Sequence, residues 1–130
     1  MTSRENISSG SSYEETYGYS RATQVGDKVY ISGTIGFNYE TGSYSDGPKG
    51  LLRQILRNME LALAKAGATL TDFVQIKTYV TSAQVFAEIG PVLDENFGNI
   101  RPTNAAHVVW FPVPNVKVEI AAVAVVGCGA

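Results

Sequence analysis

Apolar residues recur at two different periods along the chain, and the change of period separates predicted strands from a predicted helix. Residues 20–33, SRATQVGDKVYISG, hold two short runs on either side of Gly26-Asp27, which predicts a β-hairpin. From Leu51 to Ala66 the apolar positions recur at helical spacing while charged residues take the other side. This pattern predicts an amphipathic helix that ends at Gly67.

The pattern returns to alternation and then to a second helix. Residues Phe73–Val80, FVQIKTYV, alternate as a strand does. Ser82 is a good N-cap for a helix that runs to about Phe97. The Gly90-Pro91 pair inside that helix predicts a break or a kink, because proline disfavours helical backbone in the residue before it.

Two final strands complete a two-layer α+β fold. They are predicted at Thr103–Phe111 and Val116–Val126, and the second is apolar enough on both faces to be central and covered on both sides. The order of elements predicts a mixed β-sheet with two helices on one face. The other face then needs a partner, and copies of the same chain are the simplest supply. Residues 1–130 are expected to form a single domain, with residues 1–15 a flexible N-terminal segment.

Composition narrows the possible functions. A net charge of −2 disfavours binding to nucleic acid. Apolar stretches fall short of the ~20 residues that cross a bilayer, and the N-terminus lacks a secretory signal, so a cytoplasmic protein is expected. A single cysteine, Cys128, cannot form an internal disulfide, and a single histidine, His107, cannot build a multi-histidine metal site. His107 lies in mid-strand, where a structural role at a subunit interface is favoured over a catalytic one.

Four blocks of sequence, in order and at matching spacings, resemble the YjgF/RidA family. They are the "YS.A" pattern at Tyr19, the "V..SG" pattern ending at Gly33, the helix and strand of residues 51–81, and the "RP…VEI.A.A" ending of residues 101–126. The resemblance implies a chorismate-mutase-like fold and a homotrimer with small-molecule clefts between subunits. It also implies hydrolysis of reactive enamines and imines to keto acids and ammonia, without a metal or a bound cofactor. Older family names refer to an endoribonuclease, which the acidic composition here does not support.

The same resemblance assigns site residues. Glu119 falls on the family's strand glutamate, which positions or activates water, and Tyr19 falls on its cleft tyrosine. Ser32 matches a serine that can hydrogen-bond a ligand. The family's carboxylate-binding arginine is replaced by Asn104, whose amide can donate a hydrogen bond but brings no charge. Arg101 is the candidate substitute for that arginine.

Two functions stay open. The first is an enzyme that hydrolyses a small imine or enamine in clefts between subunits, with Glu119 as its catalytic residue. The second is a non-catalytic trimer that binds a small molecule such as a carboxylate, or that protects other proteins. Asn104 favours the second function. Thr34 and Gly90 replace a glutamine and an asparagine of the family pattern, and the three departures together indicate a different ligand, a weaker enzyme or no enzyme.

Overall fold

Eight strands and three α-helices form within residues 3–129, the part of the chain that this computed structural model describes. The strands are β1 (Arg4–Ile7), β2 (Ala22–Val25), β3 (Lys28–Thr34), β4 (Phe37–Asn38), β5 (Ser43–Tyr44), β6 (Phe73–Val80), β7 (Thr103–Val108) and β8 (Val118–Val125). The helices are α1 (Ser12–Tyr17), α2 (Gly47–Lys65) and α3 (Ala83–Phe97). Six strands form one sheet in the order β1-β2-β3-β8-β6-β7, and β4 pairs with β5 separately.

The predicted α+β architecture is confirmed. Every neighbouring pair in the large sheet is antiparallel except β6 and β7, which are parallel, so the sheet is mixed. Helix α2 begins at Gly47, and its fully buried residues Leu52, Ile55, Met59 and Leu63 contribute to one core under the sheet. Gly67 follows it with a φ of 77°, the left-handed value that favours glycine after a helix.

Helix α3 shows how a proline is accommodated. Ser82 is its N-cap, and the Ser82 hydroxyl oxygen accepts a hydrogen bond of 3.1 Å from the Val85 amide. The predicted break at Gly90-Pro91 is absent, because the helix continues through Pro91 to Phe97. A proline ring clashes mainly with the Cβ and amide of the residue before it, and Gly90 has no Cβ.

Strand β8 occupies the centre of the sheet, between β3 and β6, as its apolar sequence predicted. Its residues alternate between buried and half-buried positions along the whole strand. Val118 and Ile120 point towards the helices, whereas Glu119 points to the opposite, open face. Within a single chain, α2 and α3 therefore cover only one face of β8, whereas the sequence predicted that both faces would be covered.

The N-terminal segment forms regular structure where the sequence predicted a flexible one. Strand β1 pairs with β2 along its whole length, and Ile7 joins the core. The backbone amide and hydroxyl of Ser9 donate hydrogen bonds to the Glu14 carboxylate, and Lys65 Nζ donates one of 2.8 Å to the Ser8 carbonyl. Lys65 is far from Ser8 in the sequence, so the serine- and glycine-rich composition of the segment does not reveal this contact. Residues 1 and 2 of the predicted segment lie outside the described residues.

A buried asparagine fixes the loop that follows β3. Asn58 of α2 is 6% exposed, and its Nδ2 donates hydrogen bonds of 3.1 Å and 2.8 Å to the carbonyls of Ile35 and Phe37. Its Oδ1 accepts a hydrogen bond of 2.9 Å from Gln54. The amide therefore satisfies two carbonyls of the loop that leads to Tyr39.

We expect Asn58→Asp to lower the free energy of unfolding by about 2–4 kcal/mol, because two buried carbonyls lose their donors and face an acceptor instead. Chemical denaturation measures the loss. Gln54→Ala is the matched control, since it removes one hydrogen bond to the same side chain and should cost about 1 kcal/mol or less. Equal costs for the two substitutions would contradict this role for Asn58.

Candidate functional site

A small cleft opens on the face of the sheet opposite α2 and α3. Residues 109–117, which connect β7 to β8, form one wall, and the loop after β3 and helix α1 form the others. Its volume is about 150 Å³, smaller than the ~300–1,000 Å³ of pockets for drug-sized ligands, so it suits a molecule of a few heavy atoms. The lining residues are Tyr13, Tyr19, Arg21, Gly33, Ile35, Tyr39, Phe111, Pro112, Val113, Val116 and Glu119.

Glu119 occupies space that a glycine leaves free. A Cβ at position 33 would lie 2.5 Å from Glu119 Oε1 and 2.7 Å from Cδ, distances that real Cβ atoms do not show. The pairing of β3 with β8 shifts register between Ile31 and Thr34, so Gly33 sits in an irregular part of β3. Gly33 is therefore required for the observed position of the Glu119 carboxylate.

The surroundings of Glu119 make its carboxylate more basic than usual. Burial raises the pKa of Glu119, and the positive charge of Arg21 opposes that rise without cancelling it. The raised pKa brings the group closer to neutral pH, where it can take a proton from water and return it later. The cleft thus holds a group suited to general acid–base chemistry.

Arg21 lines the cleft and was not among the site residues predicted from the sequence. It is only 5% exposed, and its Nε–H has no hydrogen-bond partner within the described residues. Its Cζ lies 5.6 Å from the centroid of the Tyr19 ring, within cation–π range. The sequence displays Arg21 only as part of the "YSRA" run, and burial of a charged side chain leaves no trace in the local pattern.

Tyr19 lines the cleft beside Arg21, where the sequence placed it. Burial raises the pKa of Tyr19, while the charge of Arg21 acts in the opposite direction. Because that pKa is raised from 10.0, the hydroxyl keeps its proton at neutral pH and can donate a hydrogen bond.

The aromatic residues of the loop after β3 divide between two roles. Tyr39 lines the cleft, whereas Phe37 packs edge-on against both Tyr39 and Tyr44, with ring centroids 5.2 Å and 5.3 Å away. Of these three rings, only Tyr39 lines the cleft.

Ser32 lies next to the cleft but its hydroxyl is already engaged. Ser32 Oγ donates a hydrogen bond of 2.6 Å to the Ser20 carbonyl, and the Ser32 amide donates one of 2.9 Å to the Arg21 carbonyl. These bonds hold the chain entering β2 against β3, and so fix the backbone from which Tyr19 and Arg21 project. Ser32 is not one of the residues that line the cleft.

Arg101 and Asn104 are not brought to Glu119 within one chain. Thr103, two residues after Arg101, pairs with Gln75 of β6, whereas Glu119 pairs with Tyr79 of the same strand. These two positions on β6 are about 13 Å apart, at ~3.3 Å per residue. Arg101 is exposed, has a φ of 56°, and lines a separate surface depression with Thr71 and Cys128.

Asn104 is turned away from the cleft as well. Its Oδ1 accepts a hydrogen bond of 3.0 Å from the Thr78 hydroxyl, and Thr78 is fully buried on the helix side of the sheet. Glu119 points to the opposite side. A role for Asn104 in a cleft with Glu119 therefore requires a neighbouring subunit.

His107 lies on the exposed edge strand β7, with its ring 5.5 Å from that of Tyr79 and nearly parallel to it. Within residues 3–129, no three side chains of His, Cys, Asp or Glu come together as a metal site. None of the helices in that range has the length and apolar character needed to cross a membrane.

With this geometry in view, the chain can be compared with known proteins. The sequence profile described as "Endoribonuclease L-PSP" matches residues 10–126. The chain belongs to the endoribonuclease L-PSP family. This family assignment confirms the resemblance that the sequence blocks carried, since a solved structure of a YjgF/YER057c/UK114 family member from Mycobacterium tuberculosis is similar too. It is 39% identical, has a TM-score of 0.83, and the alignment covers 95% of this chain and 100% of that one.

Two further relatives of this L-PSP family protein are informative. A protein of Dermatophagoides farinae named 2-iminobutanoate/2-iminopropanoate deaminase is 32% identical over 109 residues, which are 83% of this chain and 85% of that protein. The structure of RidA from an Antarctic Psychrobacter is 29% identical with a TM-score of 0.79, and the alignment covers 93% of this chain and 94% of that one.

A double-mutant cycle tests the contact between Gly33 and Glu119. We expect Gly33→Ala to destabilise the wild-type protein by about 1–2 kcal/mol, because the new methyl group displaces the carboxylate. In the Glu119→Ala background the same change should cost much less, since the overlapping atoms are gone. Denaturation of the four proteins gives the coupling energy, and a coupling of zero would show that the two residues do not compete for space.

Proposed function

We propose that this protein hydrolyses a small imine or enamine of a 2-keto acid, with Glu119 as general base. The observation that carries this proposal is a half-buried carboxylate of raised pKa in a cleft sized for a few heavy atoms. Membership of a family that includes a protein named 2-iminobutanoate/2-iminopropanoate deaminase supports the substrate class.

The reaction needs water and proton transfers only. Glu119 accepts a proton from a water molecule as the water oxygen forms a bond to the carbon of the protonated C=N group, which gives a neutral carbinolamine. Glu119 then returns this proton to the nitrogen, and the carbon–nitrogen bond breaks as the C=O bond forms. The hydroxyl proton of the carbinolamine passes to the departing ammonia, so the products are the keto acid and ammonium and the Glu119 carboxylate is restored.

The enzyme should hydrolyse 2-iminobutanoate faster than buffer does, and Glu119→Gln should lower kcat by about 10²–10⁴-fold. The rate should fall as the pH falls through the raised pKa of Glu119, because the protonated group cannot accept a proton. Trapping of freshly generated 2-iminobutanoate, with detection of 2-oxobutanoate, measures both. A rate equal to that of buffer at every pH would refute the proposal.

A second candidate function is binding without turnover, and Asn104 is the observation that favours it. An amide at this position brings about 1 kcal/mol per hydrogen bond, against ~1.5–3 kcal/mol for a charged donor, so carboxylate affinity is expected to be about tenfold lower or more. Saturable binding of a carboxylate by a wild type that shows no hydrolysis would support this function. Hydrolysis gained only in Asn104→Arg would point the same way.

We also propose that the active form is a homotrimer located in the cytoplasm. The open sheet face and the edge strand β7 support self-association, since Val108 is 64% and Trp110 82% exposed in the single chain. A neighbouring copy on this face would bring a second set of side chains towards the Glu119 cleft.

Sedimentation equilibrium of the full chain should give three times the mass of 13.9 kDa. Trp110→Asp should shift the protein towards the monomer, because a charge would be buried in the apolar contact. Arg57→Asp, on the exposed face of α2, is the control and should leave the mass unchanged. A wild-type monomer at micromolar concentration would exclude the trimer.

A further inference from the structure

Arg21 is a buried, charged side chain that forms no ion pair within the described residues. Arginine stays protonated in proteins, so the side chain carries its charge into a site that is 5% exposed. A buried charge without a partner is costly and is rarely kept without a function. The ion pairs within the described residues join Lys28 to Asp27 and Arg53 to Glu95, and neither involves Arg21.

Glu119 is a carboxylate whose pKa Arg21 affects, and it does not neutralise Arg21. The two residues line the same cleft, yet they form no ion pair. Had the guanidinium paired closely with this carboxylate, the pKa of Glu119 would have fallen below its ordinary value. Burial instead prevails and the pKa is raised, so Arg21 is left free to attract a second anion.

The guanidinium is placed for an anion inside the cleft. Its Cζ lies 5.6 Å from the centroid of the Tyr19 ring, within cation–π range. Its Nε–H has no hydrogen-bond partner within the described residues, and the N–H groups on the edge of a guanidinium are the ones that meet the two oxygens of a carboxylate. A positive charge and an unpartnered donor are thus combined in a residue that lines the same cleft as Glu119.

We propose that Arg21 binds the carboxylate of the ligand in the Glu119 cleft and so takes the charge-neutralising role that Asn104 cannot perform. The ligand is therefore a small carboxylate whose reacting carbon lies between Arg21 and Glu119. This inference rests on the proposed function for its substrate class. Arg101, the sequence-based candidate for this role, lies on a different part of the surface of the single chain.

Binding of 2-oxobutanoate, the stable product of the proposed reaction, tests the inference without requiring turnover. Calorimetry should show saturable binding to the wild type and no binding of butanone, which has the same carbon chain without the carboxylate. Arg21→Met should weaken 2-oxobutanoate binding at least tenfold. Arg21→Lys should have intermediate affinity, because it keeps the charge but loses the planar group. Arg57→Met, an exposed arginine of α2, should bind as the wild type does.

A titration by NMR supplies a readout that a purely structural role would not move. In carboxyl-labelled protein, the pKa of Glu119 should rise further in Arg21→Met, because the opposing positive charge is lost. Saturation of the wild type with 2-oxobutanoate should raise it as well, since the ligand adds a negative charge nearby. This second titration needs no variant, so it shows whether the carboxylate enters the Glu119 cleft even where Arg21→Met does not fold, and the Arg21→Lys protein then tests the contribution of the guanidinium.

The inference and the proposed function fail in different ways. Undiminished 2-oxobutanoate binding in Arg21→Met, equal binding of butanone, or no binding to the wild type would overturn the role of Arg21. Binding that depends on Arg21 in a protein without 2-iminobutanoate hydrolysis would sustain that role and overturn the enzymatic function. Inorganic phosphate that binds in place of 2-oxobutanoate would show that the anion is not a carboxylate.

Discussion

Strand β8 has two partners in the sheet, and the alternation of its residues determines both the core and the cleft. Val118 and Ile120 point into the layer beneath the helices, which fixes the register of the strand, because a shift of one residue would expose them. In that register the side chain of Glu119 lies on the open face of the sheet. The free energy of core packing therefore also holds the carboxylate in position, without any hydrogen bond of its own that would lower its basicity.

The cleft combines two charges that the fold does not join. Arg21 and Glu119 are close enough for the arginine to affect the pKa of the carboxylate, but too far apart to neutralise each other. A tight ion pair would stabilise both side chains and would also make both less available to a ligand. The separation keeps a cation and a basic carboxylate in one small volume, at a cost in stability that the packing of α2 and the sheet offsets.

The sequence predicted those elements whose structure is determined by neighbouring residues. The hairpin around Gly26-Asp27, the strand Phe73–Val80 and the Ser82 N-cap all follow from neighbouring residues, and all are confirmed. Strand β1 escaped prediction because it is stabilised by pairing with β2 and by contacts from distant side chains. Arg21 escaped for the same reason, since its burial is a property of the assembled layers. The family pattern pointed to Glu119 and Tyr19, which line one cleft. It offered only Arg101 as a cation in place of the arginine that Asn104 replaces.

The lack of space between Gly33 and Glu119 also constrains how this cleft can change during evolution. A side chain at position 33 has to displace the carboxylate, which the flexible Glu119 side chain can allow by rotating out of the position it holds. A substitution at position 33 therefore alters the cleft even where residue 119 is unchanged, and the two positions should vary together among related proteins. Glycine at 33 together with glutamate at 119 identifies from sequence alone a relative with room for the same carboxylate.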